Sequence, residues 1–244
     1  MSQYLLNFEN RKKLAKVENF KRLVPIWQDG KYNTDIKVGS INYLLKLAHE
    51  QITQKTKNPI MSRTEWCKFY NESGKRREEI LAREPSSYAT NVYYGRTLDE
   101  LLEISKMFDS DLKEKGIDLK IGIVFNFVYI MIVDFGYIEY KRHILTLKNF
   151  CSKNENTFFS YSDPLSSFNG GIDAFITNKE TNKVLFAIQI LPESRTRDCE
   201  RNRKLDCSNM EKLKNFNTIF GIPIKILYAS TNGYIKKQKD LFVD

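Results

Sequence analysis

The sequence predicts an α/β (α+β) fold in which a mixed β-sheet lies between helices. Two nearly all-apolar strands, Ile172–Ile176 and Val184–Leu191, flank a polar turn and form a hairpin typical of a sheet covered on both faces. A helical pattern precedes the hairpin, and another follows it and leads into a last strand, Pro223–Ala229. Because a strand–helix–strand crossover favours parallel pairing, we expect a mixed sheet.

Size, charge and cysteine usage bound the class of protein. The 244 residues can bury a sizeable core, and 41% hydrophobic residues exclude a largely disordered chain. The net charge of +9 suits a partner with phosphates or an acidic membrane surface, and a solvated lysine-rich surface would give the same balance. Four scattered cysteines without a CxxC pair argue against a zinc site and, without a secretory signal, indicate reduced thiols.

No segment is predicted to span a membrane. The longest apolar run, Ile121–Val133, is interrupted by Asn126 and is shorter than the roughly 18 residues that indicate a span. We therefore expect a cytoplasmic protein with no membrane partner.

Residues 1–86 are predicted to form a basic, mostly helical N-terminal region. Residues 1–30 have the spacing of an amphipathic helix that Pro25 ends. A capping box at Ser62–Glu65 predicts a short helix that Gly74 breaks. The stretch Glu84–Ser87 is the best candidate linker to a second region, residues 87–244.

The second region begins with helices. A capping box at Thr97–Glu100 opens a helix that Gly116 ends. Ile121–Val133 exceeds the usual strand length and favours a buried helix, although periodicity alone also permits a strand. Tyr137–Phe150 predicts a further helix, on which His143 is expected to be an exposed base, and Thr157–Tyr161 predicts a short strand.

A basic segment leaves the hairpin directly. Residues 194–204 are rich in arginine and lysine and precede a predicted helix over Asn209–Phe220. Arginine can clamp phosphates and read guanine edges, so the segment is a candidate DNA contact, and a solvated loop is the alternative. Its candidate DNA-binding residues are Arg195, Arg197, Arg201, Arg203 and Lys204.

Asp173 and Gln189 are the residues of the hairpin that carry chemistry. A carboxylate inside an apolar strand is costly to bury unless it is paired or binds a cation, and a satisfied structural polar group is the alternative reading. Mg²⁺ prefers hard oxygen ligands and often uses only one or two protein carboxylates. An acid on one strand and an amide oxygen on the next therefore suit a magnesium site that serves phosphodiester hydrolysis.

The order of residues resembles the PD-(D/E)xK nuclease superfamily. Its core is a helix, three hairpin-linked strands, a helix and a strand, and its motif is an Asp followed by Glu or Gln, any residue, and Lys. Here Gly171-Ile172-Asp173 is followed by Gln189-Ile190-Leu191. Over about residues 137–230 the chain looks most like type II restriction endonucleases, and the run Ala187–Ser194 is similar to their MjaI-like branch.

The resemblance implies a restriction-endonuclease-like core with Mg²⁺ as cofactor. Asp173 would be a metal ligand, and Gln189 a second ligand or a residue that positions the water. Glu193 shares strand parity with Gln189, although Pro192 intervenes, and is a third candidate catalytic residue. The motif lysine falls on Leu191, so its charge would have to come from Arg195, Lys225 or another neighbouring cation.

The implied activity is site-specific hydrolysis of double-stranded DNA in a restriction–modification system. The resemblance also implies a homodimer, because two-fold cutting needs two sites, and a cognate DNA methyltransferase as a genetic partner. The N-terminal region would embrace DNA or form the dimer. A catalytically inactive DNA-binding protein that keeps this core is the alternative, and a basic protein-binding or RNA-binding module without a metal is the third reading.

Overall fold

The computed structural model describes residues 18–29, 44–48, 60–85, 95–162, 171–196 and 200–242, with side chains left out at residues 18, 19, 21, 29 and 200–208. The predicted fold class is confirmed: helices and a five-stranded mixed sheet form an α+β fold with a helical N-terminal region. The chain divides into two compact units, Met1–Gly39 with Ser62–Tyr137, and Ser40–Met61 with Ile138–Asp244. The functional division at residue 86 stays a prediction, because residues 86–94 lie outside the described ranges.

The first unit is built from helices. Helix α1 spans Glu18–Asp29, α2 spans Arg63–Arg83, α3 spans Leu98–Glu114 and α4 spans Ile121–Tyr129. Both predicted capping boxes are confirmed, since the Ser62 and Thr97 hydroxyls each accept a hydrogen bond from the backbone N–H three residues on. Gly116 ends α3 with a φ of +72°, as predicted.

Two predicted helix ends are wrong. Pro25 lies inside α1, where Leu23 and Trp27 on either side of it are buried, so packing offsets the lost backbone hydrogen bond. Gly74 lies inside α2 rather than ending it. A Cβ atom at Gly74 would come within 2.4 Å of the Arg96 carbonyl carbon, so this glycine permits a close backbone approach.

The predicted buried helix over Ile121–Val133 is confirmed and continues to Ser152. A π-helical segment, Ile130–Asp134, joins α4 to helix α5, Phe135–Ser152. The Trp66 indole N–H donates to the Val133 carbonyl in that segment at 3.0 Å. By length and composition the run Ile121–Ser152 could also cross a membrane, but half of its most apolar window is buried, as in the core helix of a soluble protein, so the indication is weak.

The second unit contains the sheet. Its strands, in spatial order, are β1 (Thr157–Tyr161), β2 (Ala174–Asn178), β3 (Val184–Pro192), β4 (Ile224–Ala229) and β5 (Ile235–Leu241). Strands β1, β2 and β3 pair antiparallel, β3 and β4 pair parallel, and β4 and β5 pair antiparallel. The predicted hairpin and the parallel crossover are therefore confirmed.

Helix α6, Glu200–Phe220, is the crossover helix and covers one face of the sheet. The predicted helix is confirmed but begins at Glu200 rather than Asn209, because the Arg, Glu, Lys and Leu residues before Asn209 are good helix formers. The core under the helix consists of Ile172, Ala187, Leu213, Phe216, Ile224, Ile226, Tyr228 and Leu241. Strand β5 was not predicted, because its sequence IKKQKDL lacks apolar alternation.

Candidate metal and nucleic-acid site

Asp173 lies directly before β2 and is held by the central strand β3. Its backbone N–H donates to the Ile188 carbonyl at 2.8 Å, and its carbonyl accepts from the Ser162 N–H at 3.1 Å. Its carboxylate Oδ2 accepts from the Ile190 N–H at 2.6 Å. The carboxylate thus satisfies a donor of β3 at the point where regular pairing with β2 stops, which explains how a half-buried acid is tolerated here.

Gln189 lies on β3 beside that contact and is only 6% exposed. Its amide forms a reciprocal pair with Asn209 of α6: Gln189 Nε2 donates to Asn209 Oδ1 at 2.7 Å, and Asn209 Nδ2 donates to Gln189 Oε1 at 2.6 Å. The two hydrogen bonds therefore fix the orientation of each amide relative to the other. An amide oxygen has two lone pairs, and this bond takes one of them.

Gly171 leaves room for the amide pair. Its φ is +67°, a backbone conformation that favours glycine. A Cβ atom there would also come within 3.0 Å of Gln189 Nε2 and 3.4 Å of Asn209 Oδ1. The glycine of the Gly-Ile-Asp sequence thus has a steric role.

The structure places the Asp173 carboxylate against Ile190, the residue next to Gln189, and places Glu193 and Arg195 in the turn that follows β3. Glu193 is exposed in a 3₁₀ turn, Glu193–Thr196, and Arg195 in the same turn is partly buried. Arg197 lies outside the described residues. Arg201, Arg203 and Lys204 belong to the first turns of α6, where only the backbone is described.

Position 191 and Lys225 do not supply a cation next to this pair. Leu191 packs against the apolar core under α6. Lys225 of β4 pairs in register with Ile188, so it lies on the sheet face opposite to Gln189. Its ammonium is 3.0 Å from Asp240 Oδ2 and 4.9 Å from the centroid of the Phe186 ring. The suggestion that Lys225 replaces the motif lysine is therefore wrong.

The donor set fits a magnesium ion in chemistry. Asp173 offers a carboxylate and Gln189 an amide oxygen, and Mg²⁺ commonly completes such a pair with water and substrate oxygens. Within the described ranges, no group of three or more His, Cys, Asp or Glu side chains is placed to hold a metal. The pair would therefore have to share the ion with water and phosphate.

Tyr161 of β1 is the aromatic neighbour of this acid. It pairs in register with Ala174, and its ring is almost fully buried. Burial raises the pKa of Tyr161 well above its usual range, and the charges of Tyr140 and Asp173 act in the same direction. The phenol is therefore neutral at physiological pH beside the carboxylate.

A second polar cluster lies on α5. His143, predicted as an exposed base, is 5% exposed, and its Nε2 is 3.9 Å from Glu139 Oε2. Arg142, also 5% exposed, donates to Glu139 Oε1. The prediction was wrong because neighbours in sequence point in different directions around a helix, so basic neighbours do not reveal the face of residue 143.

Asn209 is the residue of the site that the sequence did not reveal. A buried amide on a strand does signal that a polar partner is needed. The partner lies twenty residues away, on a helix whose register over the sheet is set by apolar packing. Neither spacing nor a motif identifies such a partner.

Comparisons with models of protein families, with curated proteins and with solved structures found no match to this chain.

Proposed function

We propose that this chain is a Mg²⁺-dependent DNA endonuclease of the type II restriction class, which hydrolyses phosphodiester bonds in double-stranded DNA at a specific site. One observation carries the proposal. The carboxylate of Asp173, directly before β2, accepts a hydrogen bond from Ile190 of the central strand β3, next to Gln189 on the same strand. Ligands held on strands keep their geometry better than ligands on loops.

In this proposal Asp173 and Gln189 hold the magnesium ion. A bound magnesium ion would polarise the scissile phosphate and lower the pKa of a water. The Ile190 N–H fixes the orientation of the Asp173 carboxylate, and Asn209 holds the plane of the Gln189 amide through two hydrogen bonds. Glu193, exposed beyond the end of β3, is the candidate for positioning the attacking water.

DNA binding is assigned to the basic segment that leaves β3. Arg195 lies in the 3₁₀ turn, and Arg201, Arg203 and Lys204 lie in the first turns of α6. Residues in the first turns of one helix are held close together, so their charges can follow a phosphate backbone. The net charge of +9 supports a polyanionic partner. A homodimer, a cognate methyltransferase and a cytoplasmic location complete the proposal.

The test is cleavage of long plasmid and phage DNA by the full chain in Mg²⁺. We expect discrete fragments that EDTA abolishes. Asp173→Asn keeps the size of the side chain and removes its charge, so we expect cleavage to fall by about 100-fold or more. Glu180→Gln, an exposed acid in the turn of the same hairpin, is the matched control and should cut like the parent. Cleavage by Asp173→Asn at the parent rate would refute the proposal.

A non-catalytic DNA-binding protein with the same core is the second candidate. The packing of the partly buried Leu191 against the core favours it, because a cation is missing at the position where the motif has one. Sequence-selective, salt-sensitive DNA binding without fragments in Mg²⁺ or Mn²⁺ would establish this candidate and reject the first.

A further inference from the structure

Three paired residues form a row across β3, β4 and β5, at the carboxyl ends of β3 and β4. Leu191 of β3 pairs in register with Tyr228 of β4, and Tyr228 pairs in register with Lys237 of β5. Paired residues on neighbouring strands project their side chains from the same face. Tyr228 belongs to the core under α6 and Leu191 packs against that core, so Lys237 emerges on the face that carries Gln189.

The Lys237 side chain leans inwards along this row. Its ammonium lies over the ring of Tyr228, 5.9 Å from the centroid, although the residue as a whole is exposed. Tyr228 lies on the strand between β5 and β3, so the charge is directed from the edge of the sheet towards β3. Two strand spacings separate the backbones of Lys237 and Leu191, about 10 Å. A lysine has a flexible four-carbon stem with which to reach across part of that distance.

We propose that Lys237 supplies the phosphate-facing cation that Leu191 does not provide, by contacting a DNA phosphate held at the Asp173–Gln189 pair. This inference rests on the proposed function. The nuclease motif has its lysine at the position of Leu191. In this chain the positive charge would instead come from the same row two strands away, on the edge strand β5. Leu191 then remains available for packing against α6, and the ammonium stays hydrated until a phosphate arrives.

Strand β5 offers a matched control. Lys236 is adjacent, exposed and equally charged, but the register shift between Tyr228 and Ala229 leaves it outside the row. Lys237→Met and Lys236→Met remove the same charge and keep similar stems. Both residues are exposed, so both variants should keep the far-UV circular dichroism of the parent.

The first measurement is the affinity of the full chain for a short DNA duplex as a function of salt, with Ca²⁺ in place of Mg²⁺. Loss of one phosphate contact makes the negative slope of log K against log [salt] shallower by about 0.9. We expect this change for Lys237→Met and the parent slope for Lys236→Met. Equal slopes for the two variants, or no binding of DNA by the parent, would overturn the inference.

The second measurement is single-turnover cleavage in Mg²⁺. We expect Lys237→Met to lose about 100-fold or more in rate, Lys237→Arg to retain most of it, and Lys236→Met to stay within about twofold of the parent. Cleavage by Lys237→Met within about twofold of the parent rate would overturn the inference while leaving the nuclease proposal intact. A parent that binds DNA without cutting it would refute the nuclease proposal, and the salt slopes alone would then decide the role of Lys237.

Discussion

Removal of the reciprocal amide pair between Gln189 and Asn209 should have a measurable effect on the free energy of unfolding. Asn209→Ala deletes both hydrogen bonds, of 2.7 and 2.6 Å, and leaves the Gln189 amide without its partner in a site where that residue is 6% exposed. A buried donor or acceptor that loses its partner costs about 1–3 kcal/mol. Asn209 itself is only partly buried, so water reaches one side of the pair. We expect the free energy of unfolding to fall by about 2–4 kcal/mol.

The assay is urea unfolding followed by far-UV circular dichroism and by amide exchange of β3. Tryptophan fluorescence would be misleading, because Trp27 and Trp66 both lie in the first unit. Asn217→Ala, on the same helix, removes a single bond to the Ile222 carbonyl and should cost about 1 kcal/mol. If Asn209→Ala is no more destabilising than Asn217→Ala, the amide pair does not stabilise the packing of α6 on the sheet.

A double variant separates the structural role of the pair from its proposed chemical role. Replacing both amides by apolar groups of similar shape, Gln189→Met with Asn209→Leu, leaves no orphaned polar group and should cost less than Asn209→Ala. The same double variant removes the proposed metal-ligand oxygen, so a folded protein that no longer cuts DNA is the expected outcome. A double variant that is folded and fully active would reject Gln189 as a ligand.

Two further predictions concern stability. Gly74→Ala should lower the free energy of unfolding by about 3 kcal/mol, because the new Cβ atom would meet the Arg96 backbone at 2.4 Å. Gly122→Ala, where no described atom lies within 4 Å, should raise the free energy of unfolding by about 0.5 kcal/mol. Melting temperatures that shift in the same direction for both variants would contradict this. A hydrogen bond from Lys225, with a smaller one from Gln238, lowers the pKa of Asp240 below the ordinary 3.8. This stabilisation is present above the unfolded pKa and is lost as the pH falls through the lower folded pKa. Asp240→Asn should therefore cost about 0.5 kcal/mol at pH 7, with the difference from the parent shrinking below pH 4 in urea titrations.

The hairpin and the crossover could be predicted because their signals are local. Apolar strands and a polar turn indicate the hairpin of β2 and β3, and a helix followed by a strand indicates the parallel crossover from β3 to β4. Strand β5 could not be predicted in this way. It lies at the edge of the described sheet, where lysines protect an exposed edge, so its pattern IKKQKDL looks like a basic tail.

The errors at Gly74 and His143 have a different cause. Glycine is a poor helix former, and α2 tolerates Gly74 only because the chain near Arg96 crosses it closely. His143 is buried because of which side of α5 packs inwards, and a run of basic neighbours carries no information about that side. Both features depend on distant parts of the chain, so a local reading of the sequence misses them.

Asp173 itself shows how a sequence signal can have two explanations at once. An acid in an apolar hairpin predicted a cation, yet its Oδ2 accepts the Ile190 N–H, which accounts for the burial without one. The two roles do not exclude each other, because a carboxylate has about four lone-pair positions and this bond takes only one. The backbone bond holds the carboxylate in one orientation before any ion or phosphate arrives, as a preorganised ligand requires. Asp173→Asn is therefore informative in both respects: the amide can keep the bond to Ile190, so a loss of cleavage without a loss of stability would be due to the missing charge.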